Sequence, residues 1–313
     1  MAAVAVVTAF VFTLQYSLLV APKPVLFAGR DVAIFWDGIH RVVRGQIPNA
    51  DFASVLGPLN WWGPAWVAQA TGDLTRALPV YLFGIGVALT LLGWVLNRRA
   101  DPLSLIVQVA VVMSLACSLT RLGESGAVTL HGFYRRIGAA AFVVVTAWVL
   151  HGSSAQARRS VVDRVALALV LSIALYTKIS YFAAAGLVLG LGCVCFPVLW
   201  GTTLWAGAGV CVVALVAELL APGQSLSYFA DLASVVATSP EGRGTWASQA
   251  ELMFAGEAPF LALGLALPVA WLATTWRGDP FASGRRALRR TLIFSIFSLA
   301  PLCLHHFLSY INF

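Results

Sequence analysis

Charge is what this sequence has least of. Only 11% of its 313 residues are Asp, Glu, Lys or Arg, against about 25% in an ordinary soluble domain. That shortage excludes a soluble globular fold of this length. Acids are the scarcer sign, 13 against 20 basic residues. Cysteine is sparse too: Cys117, Cys193, Cys195, Cys211 and Cys303 all fall inside apolar runs. The C-x-C at Cys193 and Cys195 has no metal-site flanks, so neither a disulfide framework nor a zinc site is implied. No P-loop, dinucleotide fingerprint, zinc spacing or nucleophile elbow occurs in a usable context, which excludes nucleotide-driven work. There is no internal repeat, no inverted pair of broken helices of the transporter kind, and no alternating pattern of a membrane barrel.

What is present is apolar length. The chain is 60% hydrophobic, its mean hydropathy is +0.86, and the surplus falls in runs long enough to cross a bilayer core. Backbone groups in lipid must be satisfied within the segment, so such runs are helical. The expectation is an all-α polytopic membrane protein, residues 1–313 forming one transmembrane domain with about nine spans. They fall near 3–22, 74–96, 102–119, 136–150, 165–177, 181–199, 203–220, 259–276 and 291–311. The run at 165–177 is short for a span, so 165–199 reads either as two spans or as a hairpin that does not fully cross. The first run has no basic residue before it and no small-residue cleavage site after it. It reads as a retained span.

The net charge of +7 reflects topology, not nucleic acid. The stretches 97–101, 151–164 and 277–290 hold ten of the 20 basic residues. They alternate correctly for cytoplasmic loops, and the five arginines of 277–290 would also touch anionic lipid. The segments 23–73, 120–135 and 221–257 then face outward with nine of the 13 acids. The protein is expected in the inner (plasma) membrane of a bacterium.

The first outer loop, with 30–64 as its core, is the densest in chemistry. Residues 32–44 place Val32, Phe35, Trp36, Ile39, Val42 and Val43 on one side of a helix and Asp37, His40, Arg41 and Arg44 on the other. This is an interfacial amphipathic helix, ended by Gly45. Asn60, Trp61, Trp62 and Trp66 read as interface anchors. Asp31 falls where an N-cap would, Asp37 has Arg41 at i+4, and Asp51 is placed to cap a turn before Gly57-Pro58. Farther on, Arg135 and Arg136 open a span on the outer side, against the positive-inside trend. Phosphate binding and snorkelling are the alternatives there. Lys178 separates two apolar runs, and an ionisable residue at that depth is a functional candidate. His40 and His131 read as surface or interface histidines, with a hydrogen-bonding or metal-binding role as the alternative, and His305-His306 is interfacial. In the outer loop 221–257, Trp246 beside polar groups could stack on a sugar.

The order of span, Asp31, amphipathic helix, Gly45, Pro48, Asp51-Phe52 and Gly57-Pro58-Leu59 resembles the start of GT-C-fold glycosyltransferases. His131-Gly-Phe-Tyr-Arg-Arg136 and Leu175-Tyr-Thr-Lys178 resemble later pieces of the same family. The likeness covers roughly residues 1–200. It implies a GT-C-like fold and transfer of a hexose or pentose from a polyprenyl-phosphate donor to a lipid or glycan acceptor on the outer face. The anomeric centre would be inverted. By position Asp31 would be the catalytic base, with Asp51 assisting. Asp37, His40 and Trp246 would contact acceptor or sugar. Arg135, Arg136 and Lys178 could reach the donor phosphate at headgroup depth. No protein metal site is implied, and no cofactor is required, with a divalent cation as the alternative. The chain departs from the family in three ways. Val32, not an acid, follows Asp31. The spans are fewer. Little follows the ninth span, so a fragment or a reduced member is expected. A lipid or polysaccharide transporter and a non-catalytic assembly subunit are the competing readings.

Overall fold

A computed structural model describes residues 2–19, 30–100, 102–117, 120–122, 127–129, 133–151 and 160–238. The spans expected at 259–276 and 291–311, the arginine-rich stretch 277–290, His131, His305, His306 and Trp246 lie outside the described residues. The chain divides into two compact units, 1–233 and 234–313, and only residues 234–238 of the second are described.

The regular elements among the described residues are helices apart from one short pair of strands. The helices are α1 (Ala2–Leu19), α2 (Arg30–Val43), α3 (Leu59–Thr71), α4 (Leu74–Asn97), α5 (Pro102–Cys117), α6 (Phe133–His151), α7 (Val161–Thr177), α8 (Ile179–Cys195), α9 (Trp200–Leu220) and α10 (Gln224–Thr238). Strands β1 (Thr120–Leu122) and β2 (Ala127–Thr129) pair antiparallel between α5 and α6. Among the described residues two helices are long and apolar enough to cross a membrane, Leu74–Asn97 and Pro197–Leu220. Shorter apolar helices cover Ala5–Ser17, Ser104–Cys117 and Ile179–Val194.

Local signals set the helix ends. Gly72, in the left-handed region at φ 67°, closes α3 through its N–H to the Ala68 carbonyl. Asp73 then opens α4 by accepting from the N–H groups of Thr75 and Arg76. The Thr75 hydroxyl, also donating to it at 2.6 Å, holds the Asp73 carboxyl below its ordinary range. Ser160 and Asp163 form a capping box on α7. The Arg98 guanidinium at the end of α4 reaches that same Asp163 carboxylate and the Ser160 hydroxyl. Inside the bundle Asn97 donates to Gln108 at 3.0 Å, joining α4 to α5.

These contacts fix the direction of the helices. α7 starts beside the C-terminal end of α4, at Arg98. It finishes beside the loop before α3, where the Thr177 carbonyl accepts from the N–H of Gly57 at 3.1 Å. Lys178 alone, with extended backbone, links α7 to α8. Gly138 lies against Tyr181, and Gly192 against Val149, so α8 runs parallel to α6. Residues 161–195 are therefore a tight pair of 17-residue helices turned on one residue. The segment has no extended loop of its own.

Candidate functional site

The segment 30–64, expected as the core of an outer loop, is more ordered than its composition suggested. The amphipathic helix is present as α2, and its buried face is Phe35, Ile39 and Val42. That face packs on protein: Phe35 stacks on Trp61 of α3 with ring centroids 5.0 Å apart and meets Phe133 of α6 at 4.6 Å. Burying each of these side chains contributes about 1.5–3 kcal/mol, and Ile39→Asp would undo it. Trp61 is 3% exposed and so belongs to the core; Trp66, at 59%, is the ring of this group that faces outward.

The acids of the loop have distinct settings. Asp31 is part of α2, which the structure describes from Arg30. Asp37 accepts from Arg41 at 2.7 Å, both side chains exposed. His40, one position before Arg41, is exposed. Gly45 ends α2 at φ 91°. Asp51 folds back on its own loop: its carboxylate accepts the Ile47 N–H at 2.7 Å while its N–H donates to the Ile47 carbonyl at 2.8 Å. Asn49 turns the chain in the left-handed region at φ 66°.

Two separate segments, the end of α7 and α10, close over this loop. Thr177, the last residue of α7, accepts through its carbonyl from the Asn60 side chain at 2.7 Å. From α10, Asp231 accepts both the Asn49 side-chain amide and the Ser54 N–H at 2.9 Å. Also from α10, Gln224 reaches the Pro48 carbonyl, and the Tyr228 hydroxyl donates to the Leu175 carbonyl at 3.2 Å. The segment 221–257, expected as a loop, is thus helical over 224–238. Its apolar residues Leu226, Phe229 and Leu232 lie at helical spacing, and that signal was there to be read. Asp231 is half-buried in this clasp.

The cations gather at the same end. Arg135 stands over the Tyr134 ring at 5.8 Å, and the Lys178 ammonium stands over that ring at 5.6 Å. Tyr134 in turn lies 5.9 Å from Phe35 of α2. Arg136 is the next residue along α6 and half-buried. The sequence placed Arg135, Arg136 and Lys178 together only through resemblance; the turn between α7 and α8 brings Lys178 to the first turn of α6. Lys178 is 8% exposed. Its charge has no carboxylate partner within ion-pair distance among the described residues. Burial, and then the charge of Arg135, push its pKa down to about 8.

Polar atoms without a partner among the described residues cluster beside it. They are the Asn60 Oδ1, the Thr177 Oγ1 and the Ser180 Oγ. Leaving such a group buried and unpaired costs ~1–3 kcal/mol. Among the described residues no group of three His, Cys, Asp or Glu side chains could hold a metal ion. What this end of the bundle can do chemically is take an anion on a buried ammonium, below a loop that carries carboxylates.

No family model, no curated protein and no solved structure matches the chain. The functional argument therefore rests on the chemistry of these residues.

Proposed function

We propose that this chain is a polytopic membrane glycosyltransferase of the GT-C type, with about nine spans. It transfers a sugar from a polyprenyl-phosphate donor to a lipid or glycan acceptor on the outer face of a bacterial inner membrane. The observation that carries the reading is Lys178, a buried cation beside Arg135 with no carboxylate to neutralise it among the described residues. A buried ammonium with no carboxylate beside it among the described residues favours a bound anion. A polyprenyl tail remains in lipid, which holds its phosphate at the depth of a helix end.

In this mechanism Asp31 takes the proton of the acceptor hydroxyl. The acceptor oxygen bonds to the anomeric carbon, the bond from that carbon to the phosphate oxygen breaks, and the configuration inverts. The leaving group is the polyprenyl phosphate, whose added charge Lys178, Arg135 and Arg136 stabilise. Asp51 assists from the same loop, and Asp37, His40 and Trp246 contact acceptor or sugar. A lipid or polysaccharide transporter is disfavoured because the buried polar groups in mid-helix among the described residues, such as Thr8, Thr90, Gln108 and Ser172, are uncharged.

The test is transfer from a lipid-linked sugar by Asp31→Asn, in protein shown to be folded by its melting profile. The expected result is a loss of about 10²–10⁴-fold. Full retention would remove Asp31 from the mechanism.

A further inference from the structure

The turn between α7 and α8 holds more unmatched polar groups than a turn requires. Thr177 and Asn60 are fully buried, and Lys178 is 8% exposed. The Asn60 amide nitrogen is committed to the carbonyls of Gly57 and Thr177 at 3.0 and 2.7 Å. Its oxygen is consequently fixed as an acceptor, with no donor among the described residues. The hydroxyls of Thr177 and Ser180, on either side of Lys178, also have no partner among the described residues. A valine or an alanine would fill the same space without an unpaired hydroxyl. Buried polar groups are normally matched, so unmatched ones beside a buried cation point to an outside partner.

We propose that this turn, with Asn60 against it, is a subsite for a phosphate ligand rich in hydroxyls. Lys178 takes the phosphate; Thr177, Ser180 and Asn60 take hydroxyl groups of the sugar attached to it. This rests on the lipid-phosphate reading above and extends it to the sugar. The chemistry fits both sides. A sugar hydroxyl can donate to the Asn60 oxygen and accept from the Thr177 or Ser180 hydroxyl. A phosphate without a sugar would satisfy Lys178 and leave the other three unmatched.

The experiment uses the full chain in lipid nanodiscs with two kinds of probe, polyprenyl phosphate alone and polyprenyl phosphate carrying mannose or arabinose. Thr177→Val and Ser180→Ala each remove one unmatched hydroxyl at nearly constant volume. Neither should lower the melting temperature, because no bond among the described residues is lost. Each should weaken binding of a glycosylated probe by about tenfold while leaving the sugar-free probe unchanged. Ser172→Ala is the control: its hydroxyl is equally unmatched but lies in mid-helix, and it should change neither probe. Loss of melting temperature with unchanged binding would mean that an internal water holds these hydroxyls, and the subsite would be abandoned. Equal weakening of both probes would also overturn it, while leaving the phosphate reading standing. If the unaltered protein binds neither probe, the lipid-phosphate reading fails and the subsite with it.

Discussion

The carboxylate of Asp231 in α10 accepts the backbone N–H of Ser54 at 2.9 Å, across 177 residues of chain. The same oxygen takes the Asn49 side chain, and Asn49 in turn donates to the Ser54 carbonyl at 2.6 Å. Ser54 passes the constraint on, because its hydroxyl accepts from the Trp61 indole at 3.1 Å. One acid thus ties α10, the loop 45–58 and α3 into a single cap.

Asp231→Ala should therefore loosen that loop without unfolding the bundle. Hydrogen bonds to a charged acceptor contribute about 1.5–3 kcal/mol each, and half-exposure places the pair toward the low end. A destabilisation of about 2 kcal/mol is expected, with faster hydrogen exchange at Ser54 and Asn49. Asp231→Asn, which keeps an acceptor oxygen, should lose less. Unchanged exchange in Asp231→Ala would mean that Gln224 and Tyr228 hold the cap without it.

Much of this architecture was legible in the sequence, and its gaps have physical causes. Apolar run length located α1, α4, α5, α6 and α9 to within a few residues, since a long unbroken apolar run meets its backbone hydrogen bonds most simply as a helix. The wheel over 32–44 gave α2 and its buried face. It did not show that the face meets Trp61 and Phe133, because periodicity reports which side is apolar and not what covers it. Trp61 was placed at a lipid interface for that reason. The Asp231 clasp was out of reach: a contact spanning 177 residues leaves no local pattern. Of the candidate site, Lys178 was visible as a lone cation between apolar runs. Its pairing with Arg135 needed the one-residue turn that places the two helix ends together.

Phosphate affinity and stability should respond to pH with opposite signs at Lys178. Its pKa falls from an ordinary 10.5 to about 8 in the folded chain. Between those values the unfolded chain binds more protons than the folded one, so stability rises with pH across that window. The ammonium that attracts a phosphate is lost over the same window. Affinity for polyprenyl phosphate should then drop above about pH 8 while the melting temperature climbs. Lys178→Arg keeps its charge throughout, and its affinity should stay flat to pH 9.5. A flat profile in the unaltered protein would remove Lys178 from the anion site.

At the other end of the bundle, Arg98 and Asp163 tie α4 to α7. The Asp163 side chain is 8% exposed and that of Arg98 36%. Removing one partner from a buried pair costs about 3–5 kcal/mol; the open side of Arg98 lowers the expectation to roughly 2–4 kcal/mol. Asp163→Ala should be the worse variant, because it also destroys the capping box on α7. Arg98→Ala leaves Asp163 bonded to the Ser160 N–H at 3.1 Å. Thermal unfolding in detergent ranks the two, and an equal loss would show that the cap adds nothing to the ion pair.

Asp31 and Asp51 can be separated because Asp51 has a second task. Its carboxylate accepts the Ile47 N–H, a bond that an asparagine oxygen can replace. Asp51→Asn should therefore keep the loop and lose only charge, whereas Asp51→Ala loses both. If Asp51 assists the base, Asp51→Asn lowers transfer about tenfold with an unchanged melting temperature, far short of the loss in Asp31→Asn. If Asp51 only closes its turn, Asp51→Asn is silent and Asp51→Ala lowers stability and transfer together. The reverse ranking, with Asp51→Asn inactive and Asp31→Asn active, would exchange the two roles. The base would then stand on the loop that Asp231 holds, and transfer would fall in Asp231→Ala as well.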